Sequence, residues 1–125
     1  MNTKFKFALA VVAGVALGAA AVQGLHAQAK PKAYLVTESE VLDAAALASY
    51  TAAITAVQRA AGGRSFGTRG KIVASVGDPP KRVGISEWDS LEQVQTYLNS
   101  AERKKLVQDG KVVKIARQYI VEAGN

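Results

Sequence analysis

Arg82, Gly84, Ser86 and Trp88 fall at every second position. On a strand that spacing puts a guanidinium, a hollow, a hydroxyl and an indole on one face. Such a hollow suits an anionic or planar molecule, with arginine as a bidentate donor and the indole as a flat wall. The plainer reading makes Arg82 a solvated strand-end residue and Trp88 part of the core. Arg64 and Arg69 flank a glycine-bearing bend at Gly67 and Gly70, where they either line the mouth of the same cleft or pair with Glu38, Glu87 or a second subunit. Glu38 and Glu87 are the strand-embedded acids best placed for burial. Burial would tune either into a general base, whereas an arginine neighbour would hold it ionised. Tyr34, Tyr50, Tyr97 and Tyr119 read most simply as core or rim residues.

The missing residue types narrow the chemistry further. The only histidine is His26, the only methionine is Met1, and there is no cysteine. Beyond residue 29 the chain therefore has no imidazole, thiol or thioether. Those groups supply ordinary zinc, haem and copper sites, so no metal and no cofactor is expected. A Ser-His-Asp triad and a cysteine nucleophile are excluded. Gly62-Gly63 closes a helix instead of opening one, so it is no phosphate loop.

The first 29 residues read as a secretory leader. Lys4 and Lys6 give the basic start, no Asp, Glu, Lys or Arg occurs from Phe7 to Ala29, and Ala27-Gln28-Ala29 has the small-x-small pattern of a cleavage site. Cleavage is expected after Ala29, which places the protein in the periplasm or outside the cell. A retained anchor is the alternative, and the intact mass of the exported chain separates the two. Residues 30–125 then form a single domain. Two of the 16 Lys and Arg lie in the leader, leaving 14 against 10 acids, a net charge near +4. Charges of both signs are interspersed and no basic stripe with aromatics occurs, so neither nucleic acid nor, after cleavage, a membrane is an expected partner.

The elements that must position these residues follow from pattern and punctuation. Ala33–Val41 reads as a strand by its aromatic and β-branched content. Asp43 is the expected N-cap of a helix with Leu47, Tyr50, Ile54, Val57 and Ala61 on one stripe, ended by Gly62-Gly63. An extended piece opens at residues 64–66, and residues 71–76 read as the second strand. Residues 81–88, after the turn at Gly77-Asp78-Pro79-Pro80, read as its hairpin partner. Ser90 with Gln93 forms a capping box for a second helix carrying Leu91, Val94 and Leu98. A short helix is expected from Ser100 to Val107, and a last strand over residues 117–122. The order β-α-β-β-α-β predicts an α+β, ferredoxin-like domain: a four-stranded antiparallel sheet with two helices on one face. The open face, carrying Val36, Trp88 or their neighbours, is expected to be covered by a second copy in a homodimer.

These features together resemble the domain of unknown function 1330 family over nearly all of the chain after the leader. The resemblance rests on Tyr34 and Glu38 in the first strand and Tyr50 in the helix. Gly62-Gly63-Arg64, Arg69-Gly70 and Pro80-Lys81-Arg82 follow. Ile85, Glu87, Trp88 and Ser90 come next, then Tyr97, Ser100 and Glu102, and finally Ile120, Val121 and Glu122. It implies a dimeric α/β barrel in which two sheets pack open face to open face, and no established activity. In the second helix the family tends to show a tryptophan–tyrosine pair and a later tyrosine, where this chain has Tyr97, Leu98 and Arg103.

Two functions fit. The first is a non-catalytic dimer binding a small anionic or planar molecule in the cleft between sheets, through Arg82, Ser86, Trp88, Arg64, Arg69, Glu38 and Glu87. The second is a cofactor-free monooxygenase- or isomerase-like enzyme running on Glu, Arg and Tyr. The absence of histidine favours binding.

Overall fold

Alternation along β1 decides which residues meet. The computed structural model describes residues 30–67, 70–108 and 110–124, so the stretch 1–29 expected as a leader, and Arg69, lie outside them. The elements are β1 (Ala33–Val41), α1 (Leu47–Ala60), β2 (Arg64–Ser65), β3 (Arg82–Trp88), α2 (Leu91–Asn99), α3 (Ala101–Val107) and β4 (Val113–Glu122). The strands form one antiparallel sheet in the order β2-β3-β1-β4. This is the expected α+β, ferredoxin-like arrangement, with the short helix expected from Ser100 present as α3 and β2 cut to two residues.

The β1–β3 register pairs Ala33 with Trp88, Leu35 with Ser86, Thr37 with Gly84 and Ser39 with Arg82. Ala33, Leu35 and Trp88 join Val94 and Tyr97 of α2 in the buried cluster, so this set of strand residues faces the helices. Trp88 is fully buried, its ring 4.8 Å from that of Tyr97, and its indole N–H donates to Ser86 Oγ at 2.8 Å. The opposite face carries Tyr34, Val36, Val83, Ile85, Tyr119 and Val121, with Tyr119 and Val121 exposed. Trp88 is therefore a core residue on the helix side, not part of the open face where the sequence expectation allowed it.

Local chemistry accounts for the helix ends. Ser90 Oγ accepts the Gln93 N–H, and Gln93 Oε1 accepts the N–H of Asp89, one residue before the cap. Ser100 both ends α2 and caps α3, its Oγ accepting the Arg103 N–H. After α1 the chain turns through Gly62 at φ +97°, with the Gly63 N–H donating to the Gln58 carbonyl. That left-handed step suits glycine.

Three sequence boundaries shift. Asp43 caps a turn, accepting the Ala46 N–H, and α1 begins four residues later at Leu47. Residues 71–76 form no strand and leave Val73 and Val76 in solvent. Instead β2 pairs Arg64 with Glu87 and Ser65 with Ser86, and the chain then leaves the sheet at Gly67. High β-propensity alone does not make a strand where no neighbour supplies packing. β4 starts at Val113, four residues before the expected start, because Val41 at the end of β1 pairs with it.

Gly63 packs against Trp88: a Cβ there would lie 2.5 Å from the indole Cζ2. Rigid aromatic carbon leaves no room, so Gly63→Ala should destabilise the domain by about 1–3 kcal/mol. Thermal unfolding should show a fall of at least about 4 °C. An unchanged Tm would mean the indole is not wedged there.

Candidate functional site

α1 carries the expected apolar stripe, yet none of its residues is fully buried. Val57 packs on the core cluster, whereas Tyr50 and Ile54 look into a cavity of about 570 Å³ between the helix and the sheet. That volume suits a small organic molecule. Leu35, Thr37 and Ser39 of β1 and Arg82, Gly84 and Ser86 of β3 contribute to its floor. Tyr97 of α2, Arg103 of α3 and Gln118 of β4 contribute to its walls. A Cβ built on Gly84 meets nothing within 4 Å, so the hollow read from the glycine is present.

The hollow lies on the helix side of one domain, not in a cleft between two sheets as the sequence expectation had it. The reason is the register: residues paired with Ala33 and Leu35 share their face, and that face holds the helices. Arg82 and Ser86 line the cavity, while Trp88 stands behind it, stacked on the cavity residue Tyr97. The other candidates are elsewhere. Arg64 Nη2 contacts Glu87 at 2.6 Å and Asp89 at 3.1 Å, in a surface cluster that Lys32 completes. Glu38, on the open face, is held in a two-pronged pair by Arg117 of β4. Arg69 lies outside the described residues.

Arg103, Tyr50, Thr37 and Gln118 belong to the cavity, and their sequence signals were read otherwise. Tyr50 lay on the helix stripe and read as core. Arg103 stood out as the basic residue where the resembled family tends to place a tyrosine. Thr37 and Gln118 carry no recognisable signal, because only the β1–β4 register brings them side by side.

The cavity is rich in donors. Gln118 Nε2–H donates to Thr37 Oγ1 at 2.8 Å, Arg82 Nη1–H to Ser39 Oγ at 3.3 Å, and Trp88 Nε1–H to Ser86 Oγ. Each of these hydroxyls, having accepted an N–H, keeps its own O–H to offer. Burial pushes the phenols of Tyr50 and Tyr97 above their ordinary value of 10.0, so both stay protonated at neutral pH and can also donate. The charged lining residues among those described are Arg59, Lys81, Arg82 and Arg103, and none is a carboxylate. Lys81 is neutralised by Glu40 outside the lining. Arg82 and Arg103 form no ion pair among the described residues: Arg103 Nη2–H donates to neutral Gln118 Oε1 at 3.0 Å, and its guanidinium lies 5.9 Å from the centre of the Tyr97 ring. Among the described residues no cluster of acids and histidines is placed to hold a metal ion.

The carboxylates outside the cavity are set by their cations. Arg117 holds Glu38, and Arg64 holds Glu87, below the ordinary 4.5; Lys81 does the same to Glu40. A carboxyl depressed in the folded state stabilises it fully above its unfolded value and loses that contribution as pH falls through the lower folded value. Thermal stability should therefore be nearly flat from about pH 7 to pH 5 and decline below about pH 4.5. A decline already complete at about pH 5 would contradict these pairs.

The comparisons with known proteins agree with the fold. A crystal structure of a protein of unknown function, RPA0582, from Rhodopseudomonas palustris is similar with a TM-score of 0.55 at 12% identity, covering 82% of this chain and 89% of that one. The methylated form of RPA0582 is similar at a TM-score of 0.57 and 12% identity, covering 84% and 89%. No curated protein matches the chain. The family model for the domain of unknown function 1330 matches residues 32–124, and the chain thus belongs to the DUF1330 family.

Proposed function

We propose that this domain binds a small anionic molecule with an apolar, planar body in the cavity between α1 and the sheet. One observation carries the reading: the cavity presents the half-buried guanidinium groups of Arg82 and Arg103, with no carboxylate partner among the described residues, above a floor of hydroxyl donors, and the exposed Arg59 adds a third cation. Each guanidinium keeps N–H groups beyond the one its neutral partner uses, and an anion is the acceptor that also answers their charge. Leu35, Ile54 and Ile115 are among the apolar residues of the lining. The enzyme reading lacks a base in this cavity: Glu38 and Glu87 do not line it, and arginines hold both ionised. The expected leader puts the binding event outside the cytoplasm.

We also propose that two copies associate through the open sheet face. Val36 pairs across the strands with Ile85 and Tyr119, and Tyr34 with Val121, which gives a continuous apolar stripe flanked by the Glu38–Arg117 pair. A stable contact would cover roughly 800 Å² per subunit.

Two measurements test these proposals. In titration calorimetry with benzoate as the probe anion, Arg82→Ala should weaken binding by a factor of about 30 or more. Gly84→Val should abolish it by filling the hollow, while the strand tolerates the β-branched residue. Unchanged affinity in both variants, with the fold intact, would move the site elsewhere. In light scattering, residues 30–125 should run as a dimer at micromolar concentration and Val36→Arg as a monomer; a monomeric parent would end the association proposal.

A further inference from the structure

We infer that the cavity selects a dianion, a small dicarboxylate, over a monoanion of the same shape. This rests on the binding reading and adds to it the charge and spacing of the ligand. Arg82 and Arg103 come from different elements, β3 and α3, and line one cavity. Their tethers converge on β1. Arg82 is held by Ser39 Oγ, and Arg103 is held by Gln118, which is itself held by Thr37 Oγ1. Thr37 and Ser39 are same-face neighbours on one strand, so the two anchors are about 7 Å apart.

Each tether uses one N–H of a guanidinium that has five. The acceptor is neutral in both cases, so each arginine is oriented without being discharged. Tyr50, on α1, lines the same cavity and lies within electrostatic reach of both groups. A monocarboxylate answers one guanidinium and leaves the other without a counter-charge. Two carboxylates separated by an apolar spacer answer both, with the spacer over Gly84, where the floor is open.

The test compares isophthalate with 3-carbamoylbenzoate, which has nearly the same shape and one charge fewer. A charged hydrogen bond gained at the second arginine corresponds to a preference for isophthalate of about 10- to 100-fold in the parent protein. Arg103→Gln, and separately Arg82→Gln, should each bring the two ligands to within about threefold. Arg103→Lys, which keeps the charge, should retain part of the preference and controls for loss of the contact with Tyr97. Similar affinities for the two ligands in the parent protein would overturn the dianion inference and leave anion binding standing. A preference that survives Arg103→Gln would overturn the two-arginine assignment. Binding of neither ligand would remove the inference together with the reading beneath it.

Discussion

The rest of the domain depends on the burial of Trp88. A large ring at the end of β3 has to be covered, and Tyr97 of α2 does so on one side while Gly63, just past α1, closes on the other. The indole N–H needs an acceptor in the dry interior, and Ser86 on the same strand face provides it. This fixes one end of the helical layer on the sheet. The core is gathered there, in Ala33, Leu35, Trp88, Val94 and Tyr97.

At the other end the same two layers are held apart and little fills the space. Towards the start of β3 the floor residues shrink to Gly84 and Ser86, while Tyr50 and Ile54 of α1 line the cavity and are not among the hydrophobic residues packed on the core cluster. The cavity is thus a consequence of unequal side-chain volume along one strand face. Its charge has a similarly plain origin. The strand acids Glu38, Glu40 and Glu87 are ion-paired outside the cavity lining, whereas Arg82 and Arg103 line it with neutral partners. Cationic inside and ion-paired outside is the arrangement that makes an anion the natural occupant.

Much of this was legible in the sequence. The order of elements along the chain, both serine caps, the glycine-ended helix and the hollow at Gly84 and Ser86 follow from period, punctuation and side-chain size. The face of that hollow did not follow, because alternation tells which residues share a face and not which face the helices cover. The pairing of Ala33 with Trp88 settled it. Residues 71–76 misled for a related reason: their valines have strand propensity, but the sequence does not show that the chain leaves the sheet at Gly67. Arg103 and Gln118 meet through a side-chain hydrogen bond between α3 and β4, a contact that no local pattern encodes.

The central claim is that the interior of the single domain, and not its open sheet face, holds the ligand. The most direct measurement is an NMR titration of residues 30–125 with isophthalate, following the arginine Nε–H, Trp88 indole and backbone amide signals. Shifts concentrated on Arg82, Arg103, Gly84 and the Trp88 indole are the result this account predicts. Shifts confined to Val36, Tyr119 and Val121, with the arginine and indole signals unmoved, would contradict it.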